Sequence, residues 1–450
     1  MKIQVPEKVN YIIETLLQHG YEAYAVGGCV RDSLLGREAD DWDITTSASP
    51  QDVKALFRRT IDTGIQHGTV TVMLDKEGFE VTTYRIDGEY EDGRHPKEVL
   101  FTKNLEEDLK RRDFTINAMA YNEQSGMVDI FGGIEDLDNK IIRCVGTAGD
   151  RFNEDALRIM RAFRFSAQLG FSIEENTRIA AAGLAENLKK ISAERIRTEL
   201  TKLLLSDHAD RLMWMKENGI TRVVLPELDK MLATEHNRDG FRYNTGEHTL
   251  QVIALVGNAK KQESFIGAAV PDVPVDKIVN RKQREKKELQ ILRYAALLHE
   301  AEKPKEVMQR LKFDNETIDY VVRLAAAHRE YLDLCEDHSK NLTAMRKLMY
   351  RLGPDLMELL WELQLADMLA LSPDSLREKL NALAETKKLY AEVLERGDCV
   401  SLKQLAVNGK DLVAMGMKPG KQIGEQLDRF LQEVLENPDK NTKEYLLGLL

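Results

Sequence analysis

Residues 26–32 read Val-Gly-Gly-Cys-Val-Arg-Asp, a glycine turn around which the elements of the first third of the chain are predicted. It follows a predicted strand, Ala23–Val26, and leads into a short predicted helix, Arg31–Leu35. Glycines at such a turn allow backbone N–H groups to approach an anion, and Gly28 and Arg31 are placed to contact phosphate oxygens. A Gly-Gly pair alone is more typical of a plain tight turn.

Two carboxylates that follow favour the functional interpretation. Asp41 and Asp43 flank Trp42 at the start of a predicted strand, Asp41–Thr45, so we expect both side chains on one face. Aspartates in this arrangement can hold one or two Mg²⁺ ions, which take oxygen ligands together with phosphate oxygens. Glu80, on a neighbouring predicted hairpin, is either a third carboxylate of this group or a solvated residue of the strand face.

The remaining elements predict an α+β fold. An amphipathic helix precedes Gly20, and the segments Val70–Leu74 and Phe79–Tyr84 alternate as a hairpin around a turn at Lys76–Gly78. From about Asp150 onward the apolar period is almost entirely helical. We therefore predict a mixed α/β unit over residues 1–140, followed by an all-α remainder.

Composition restricts the class of protein. The chain has 450 residues, 43% hydrophobic and 31% charged, with a net charge of −11, which is typical of a globular chain and argues against non-specific coating of polyanions. The four cysteines form no CxxC pair, so we expect reduced thiols and a cytoplasmic location. No stretch approaches the ~20 apolar residues needed to cross a bilayer, so no membrane association is expected.

A charged stripe accompanies the helical run Glu154–Phe165. Asp155, Arg158, Arg161 and Arg164 recur every three residues opposite an apolar face. They are either surface ion pairs or a surface that meets a nucleoside triphosphate. A carboxylate accepts from the exocyclic amine of cytosine or adenine while a guanidinium donates to the adjacent ring atoms, so such a pair would select these two bases.

Five motifs in this order and spacing carry a family resemblance. GGCVRD (27–32), DWD (41–43), RRDFTINAM (111–119), GGIEDL (132–137) and EDALRIMRAFRF (154–165) resemble class II tRNA nucleotidyltransferases, the CCA-adding enzymes, whose superfamily includes bacterial poly(A) polymerases. The resemblance implies a polymerase-β-like nucleotidyltransferase head over 1–140, a neck over 141–205, a helical body over 206–390 and a tail over 391–450.

The resemblance also implies an activity and its residues. It implies addition and repair of the 3′-terminal CCA of tRNA from CTP and ATP with Mg²⁺ and release of pyrophosphate. Asp41 and Asp43 would be the catalytic metal ligands. The nucleotide-binding residues would be Gly28, Arg31, Arg112, Asp155, Arg158, Arg161 and Arg164.

Partners and alternatives follow from the same resemblance. The acceptor and TΨC arms of tRNA would lie on the neck, body and tail, where Lys403, Lys410, Lys418 and Lys421 are candidate phosphate contacts or merely solubilising. A polar loop over 84–96 favours full CCA addition, because CC-adding members of the family have it shortened. An A-adding or CC-adding specialist and a poly(A) polymerase are the alternatives, and the acidic charge balance argues against the last. A monomer and a homodimer both remain open.

One further pattern lies in the helical remainder. His248, His299-Glu300, His328 and Asp367 resemble the metal pattern of HD-type phosphohydrolases, with Glu300 where that pattern has aspartate. Because the longer stem of glutamate would move its oxygen out of place, we predict a degenerate scaffold here. A metal phosphohydrolase is the alternative of a different class.

Overall fold

The computed structural model describes residues 2–88, 99–235, 244–273, 275, 278–330, 335–371 and 376–450. The chain forms two compact units, Met1–Pro226 and Glu227–Leu450. The finer division into head, neck, body and tail stays a prediction.

The first unit is built on a sheet. Its strands are β1 (Ala23–Val26), β2 (Ile44–Thr46), β3 (Thr60–Gly64), β4 (Thr69–Leu74), β5 (Glu77–Thr83), β6 (Arg85–Asp87), β7 (Val99–Phe101), β8 (Met119–Asn122), β9 (Gly126–Asp129), β10 (Ile141–Ile142) and β11 (Ser172–Ile173). Within the described residues, seven of them form one sheet in the order β3-β4-β5-β2-β1-β8-β9. Strands β2 and β5 are parallel, whereas β1 is antiparallel to β2 and to β8. The sheet is therefore mixed, as an α+β head requires.

Burial explains why β1 lies inside this sheet. All four of its residues are buried, and Tyr24 and Val26 pack in a core cluster with Tyr84 and Leu109. A strand covered on both faces reads as a continuous apolar run rather than an alternating one. The predicted boundaries Ala23–Val26 and the predicted β4–β5 hairpin are confirmed.

Helices cover the sheet and form the remainder of the first unit. They are α1 (Glu7–Gln18), α2 (Gly28–Leu34), α3 (Pro50–Leu56), α4 (Leu105–Lys110), α5 (Gly133–Asp138), α6 (Ala148–Glu154), α7 (Leu157–Leu169), α8 (Glu175–Gly183), α9 (Ala193–Leu204), α10 (Leu212–Glu217) and α11 (Thr221–Val224).

Two sequence predictions in this unit are wrong in detail. The strand predicted from Asp41 begins only at Ile44, so Asp41 and Asp43 precede it. The helix predicted as continuous over Glu154–Phe165 is broken, because Asp155 has extended backbone angles between α6 and α7. The reason is local: the Asp155 carboxylate accepts the N–H of Leu157 and so starts a new helix.

The second unit is helical throughout its described residues. Its helices are α12 (Pro226–Ala233), α13 (Thr245–Leu255), α14 (Ala259–Ala269), α15 (Lys286–Leu298), α16 (Pro304–Arg310), α17 (Asn315–Ala327), α18 (His338–Leu352), α19 (Pro354–Ala370), α20 (Leu376–Arg396), α21 (Gly409–Ala414), α22 (Lys421–Glu436) and α23 (Lys443–Leu447). Helix α19 is buried along almost its whole length, which makes it the centre of the unit.

Two further predictions concern a polar loop and membrane-spanning helices. The polar loop predicted over 84–96 falls largely on residues 89–98, outside the described residues. Among the helices that the structure describes, every one is too short or too polar to cross a bilayer.

A buried carboxylate connects the sheet to α7. Asp113 accepts two hydrogen bonds from Arg161, at 2.7 Å from Nε and 2.6 Å from Nη2, and two more from the Phe114 N–H and the Asn117 amide. Burial by itself raises the pKa of Asp113, but Arg161 and the Asn117 amide outweigh it and hold that pKa well below its ordinary value. Asp113 is therefore ionised and positions α7 against the head.

Replacing Asp113 tests this connection. We expect Asp113→Asn to lower the free energy of unfolding of the first unit by about 2 kcal/mol, because Arg161 loses its ionised partner in a partly buried place. Denaturant unfolding followed by circular dichroism measures the change. The matched control is Glu175→Gln, which removes an exposed partner of Arg178 and should leave the free energy of unfolding nearly unchanged.

The effect has a defined pH dependence. Because the pKa of Asp113 is lower in the folded protein than in the unfolded chain, its contribution is complete above about pH 4 and fades as the pH falls further. The stability difference between wild type and Asp113→Asn should therefore shrink on acidification. A difference that grows below pH 4 would contradict this account.

Candidate active site

Three carboxylates lie where the parallel strands β2 and β5 begin to pair. The first register pair is Ile44 with Val81, and Asp43 and Glu80 each stand one residue before it. The Asp43 carbonyl accepts the N–H of Val26 at 3.0 Å, which fixes this segment to β1. Asp43 and Glu80 come from distant parts of the sequence, and the register places them side by side.

The ionisation of these carboxylates shows that they affect one another. Loss of surrounding water raises the pKa of Glu80, and the charges of Asp43 and Asp41 raise it further. The pKa of Asp43 is raised by loss of water, lowered in part by Arg112, and raised again by Asp41. All three residues are exposed. Oxygen donors that repel one another at an accessible place fit a hard divalent cation such as Mg²⁺.

The glycine turn lets a guanidinium come close to this group. Gly27 has a φ of +84°, and a Cβ there would lie 2.9 Å from Nη1 of Arg112. Only glycine combines this backbone angle with such a close approach. Within the described residues, Nε of Arg112 is buried and has no hydrogen-bond partner. Arg112 therefore brings positive charge close to the carboxylates and partly lowers the pKa of Asp43, which burial raises.

Asp108 orients Arg112 and its neighbour. Its carboxylate is fully buried, accepts two bonds from Arg111 at 2.9 and 2.8 Å, and lies 3.7 Å from Nη2 of Arg112. It also accepts the hydroxyl of Thr45 on β2 at 3.0 Å. The basic residues are thus anchored to the strand that follows Asp43.

Arg31 is more strongly engaged than the sequence suggests. Its guanidinium is buried, donates to Asp32 at 2.9 and 2.8 Å, and donates to Asn117 at 2.6 Å. It also lies over the ring of Phe165, 5.0 Å from the centroid. Through Asn117, which also donates to Asp113, Arg31 belongs to the network that connects α2 to α7.

Asp155 is held by a residue that sequence reasoning missed. Arg195 on α9 donates to both of its carboxylate oxygens, at 3.3 and 2.7 Å. With the bond from Leu157, three of the roughly four acceptor positions of Asp155 are used. A basic residue on a later amphipathic helix gives only a weak signal in sequence, because nothing local connects 195 with 155.

The three arginines of α7 occupy different surroundings. Arg158 donates to Glu154 at 2.5 Å and to the Arg111 carbonyl at 3.0 Å, whereas Arg161 is the partner of Asp113. Arg164 is buried and donates to Glu199 at 2.5 Å. Arg158 therefore reaches the basic segment of the head, and Arg164 faces the core between α7 and α9.

The second pattern predicted from sequence also comes together, in the second unit. Oε1 of Glu300 lies 3.9 Å from Nε2 of His299 and 3.8 Å from Nε2 of His328. Glu300 therefore lies near both imidazole rings. The degenerate scaffold stays a prediction.

Family models match most of the chain. Residues 23–143 match a model described as a poly A polymerase head domain. Residues 170–236 match a probable RNA and SrmB-binding site of polymerase A, and residues 281–450 match a putative tRNA nucleotidyltransferase domain 2.

Three similar proteins are each named CCA-adding enzymes. A CCA-adding enzyme of Lactobacillus delbrueckii is 56% identical over 194 residues, which are 43% of this chain and 49% of that protein, so the match spans about half the length of that relative. The solved structure of a Bacillus stearothermophilus CCA-adding enzyme in complex with CTP is 32% identical, covers 99% of this chain and 98% of its own, and superposes with a TM-score of 0.70. A CCA-adding enzyme of Anoxybacillus flavithermus is 36% identical over 442 residues, 97% of this chain and 94% of that protein. With similarity along nearly the whole of both chains, this protein belongs to the family of CCA-adding enzymes.

Proposed function

We propose that the protein adds and repairs the 3′-terminal CCA of tRNA, taking CTP and ATP as substrates without a nucleic-acid template. The observation that carries the proposal is the Arg112 guanidinium packed against Gly27, beside three carboxylates that raise one another's pKa. Membership of the family gives the reaction its class. The similar Bacillus stearothermophilus structure is a complex with CTP, which supports a nucleoside triphosphate as substrate.

Asp41 and Asp43 are the proposed metal ligands and catalytic residues, and Glu80 stands beside them. Bound to these oxygens, Mg²⁺ would neutralise charge on the triphosphate and acidify the attacking 3′-hydroxyl of the RNA. The carboxylates orient the reacting groups and receive the hydroxyl proton. Attack on the α-phosphate forms the new phosphodiester bond, and pyrophosphate leaves.

Positive residues around the turn hold the triphosphate in this proposal. Arg112 donates to phosphate oxygens from its place beside Gly27, and the backbone at Gly28 approaches them closely. Arg31 contributes charge, and its bonds to Asp32 and Asn117 keep it in place. A guanidinium already fixed by hydrogen bonds loses little conformational entropy when a substrate binds.

Asp155 and Arg158 read the base in this proposal. The remaining acceptor position of Asp155 takes the exocyclic amine of cytosine or adenine, and Arg158 donates to the neighbouring ring atoms. Uracil and guanine present a carbonyl where the other two bases present an amine, so the carboxylate rejects them. Arg161 and Arg164 complete the site from behind through Asp113 and Glu199.

The proposed binding surface for the RNA substrate lies on the helical part of the chain. We propose that the neck, body and tail hold the acceptor and TΨC arms of tRNA by contacts to phosphates. Lys403, Lys410, Lys418 and Lys421 are all exposed, and Lys421 also pairs with Glu425 at 3.3 Å.

Extension of three tRNA transcripts tests the function. Transcripts that end before CCA, after CC, and after CCA are each incubated with Mg²⁺ and with CTP, ATP or both. We expect CCA on the first, A on the second and no addition to the third. Addition of A alone would indicate an A-adding specialist, and addition that stops after CC a CC-adding one. Long A tails on any RNA would indicate a poly(A) polymerase, and each of these outcomes overturns the proposal of full CCA addition.

Conservative replacement of the carboxylates tests their role. We expect Asp41→Asn and Asp43→Asn each to lower kcat at least about 100-fold, because several kcal/mol of transition-state charge stabilisation depend on the metal that they hold. Single-turnover extension of the CC-ended transcript measures the loss. The matched control is Asp40→Asn, an exposed neighbour that should retain the wild-type rate. Equal rates in all three variants would exclude this metal site.

Arg195 is testable as a positioning residue. We expect Arg195→Gln to lower kcat/KM for CTP about tenfold and to weaken the preference for CTP over UTP, because Asp155 loses charge-assisted bonds that fix its orientation. Competition between CTP and UTP on one transcript measures the discrimination. Arg222→Gln, at an exposed position, is the control. Loss of rate with unchanged discrimination would show that Arg195 acts only on stability.

A further inference from the structure

The ring of Phe165 lies in the middle of three arginines of the candidate active site. Phe165 belongs to α7 and is buried, with 5% of its surface exposed. The guanidinium carbon of Arg164 lies over the ring at 3.7 Å from its centroid, that of Arg31 at 5.0 Å and that of Arg161 at 5.3 Å. We call these three residues the arginine group. One aromatic ring thus contacts cations from both α2 and α7.

The helical period explains why Phe165 reaches this place. It follows Arg161 by four residues, so both side chains lie on one face of α7. From this face Arg161 donates to Asp113, and the ring of Phe165 meets the ring of Phe114 edge to face, with centroids 5.8 Å apart and an angle of 83°. Successive turns of the helix therefore fix the ion pair and the ring against neighbouring residues of the head.

The positive charges around this ring repel one another. Loss of surrounding water lowers the pKa of Arg164, Glu199 raises it in part, and the charge of Arg161 lowers it again. Each member of the arginine group has a carboxylate partner, supplied by Asp32, Asp113 and Glu199 respectively for the arginines in chain order. Each carboxylate holds one guanidinium, whereas the ring contacts all three at once.

An aromatic ring suits this position because of its charge distribution. Its faces carry partial negative charge, so they attract guanidinium groups that lie over them. The ring has no net charge, and it therefore attracts the cations without cancelling the positive charge that a triphosphate requires. A further carboxylate in the same place would neutralise one of the cations, and an aliphatic side chain would fill the space without attracting any of them.

We propose that Phe165 is a positioning residue for nucleotide binding, whose ring holds the guanidinium of Arg31 in register with the helix that reads the base. The inference rests on the proposed function, in which Arg31 contributes charge to the triphosphate site while Asp155 and Arg158 read the base. Arg31 lies on α2, whereas Phe165 shares α7 with Arg158. The ring therefore connects the residues for the two ends of a bound nucleotide and itself touches neither end.

The expected effect of this contact is on affinity and not on the choice of base. A guanidinium held against a ring face has few orientations left to lose, so weakening the contact raises the KM for every nucleotide to a similar extent. Discrimination between CTP and UTP depends on Asp155, which Arg195 and the N–H of Leu157 hold through separate hydrogen bonds. A loss of affinity with unchanged discrimination is thus the signature of this role.

Graded fluorination of the ring tests the proposal, because fluorine withdraws negative charge from the ring faces with little change in size. The full-length chain carries monofluoro-, trifluoro- or pentafluorophenylalanine in place of Phe165. Calorimetry without tRNA gives the Kd of CTP, and steady-state addition of C to a transcript that ends before CCA gives kcat and KM. We expect Kd and KM to rise stepwise, by about tenfold for the pentafluoro ring, with kcat changed less than about twofold and the preference for CTP over UTP unchanged.

The matched control is the same series at Phe163, which is fully buried on α7 and, among the described residues, has no guanidinium over its ring. Fluorination there should leave Kd and KM at their wild-type values. The proposal is overturned if fluorination at Phe165 leaves CTP binding unchanged, or if the two series change equally, which would indicate packing alone. Should the pentafluoro protein fail to fold, as judged by circular dichroism, the monofluoro and trifluoro proteins decide.

A double-mutant cycle tests whether the ring acts through Arg31. In the Arg31→Gln background we expect the pentafluoro ring at Phe165 to weaken CTP binding less than about threefold, because the contact that it disrupts is already absent. An undiminished tenfold effect would overturn the proposal.

Failure of the proposed function has a different result. If the wild-type chain binds CTP but extends no tRNA transcript, the transfer activity is refuted, and calorimetry on the fluorinated series still decides the role of Phe165. Absence of CTP binding by the wild-type chain would overturn both.

Discussion

The ion pair between Asp113 and Arg161 is the constraint on which the candidate active site depends. It connects the segment after α4 with α7, and the same carboxylate accepts from Asn117, which in turn accepts from Arg31. Removing a charge from water is costly unless every polar atom is satisfied. Because Asp113 accepts four hydrogen bonds, its position is fixed, and with it the angle at which α7 meets the sheet.

Some residues around this ion pair are held by hydrogen bonds to carboxylates, whereas others keep an unused donor or acceptor. Arg31 and Arg164 are buried and bonded to carboxylates, so they act mainly as supports. Arg112 retains a donor, and Asp155 retains an acceptor position. A site that must bind a succession of substrates needs rigid surroundings, so that only a few polar atoms change partners.

The sequence predicts the local parts of this arrangement better than the long-range ones. The strand Ala23–Val26, the hairpin and the glycine turn follow from period and turn chemistry, which act over a few residues. The register that puts Asp43 beside Glu80 and the pairing of Asp155 with Arg195 depend on contacts between distant segments. No local period encodes such contacts. The break at Asp155 was missed because its side chain begins a second helix inside a run with unbroken helical period.

The position of the Glu300 carboxylate is a second feature that depends on contacts between distant segments. Its side-chain length predicted a displaced oxygen, whereas Oε1 lies 3.9 Å from Nε2 of His299 and 3.8 Å from Nε2 of His328. Such a position depends on packing among several helices and is not visible in a pattern of residue types.

The placement of His299 and His328 has an electrical consequence. Both histidines cap the C-terminal ends of 13-residue helices, α15 and α17, and bond carbonyls of the last turn. Aligned peptide dipoles give such an end a partial negative charge of roughly half an elementary unit. The two imidazole rings lie 4.9 Å apart between centroids, so two such helix ends meet here. Their backbone dipoles favour a positive charge over a negative one at this place, in addition to what the side chains contribute.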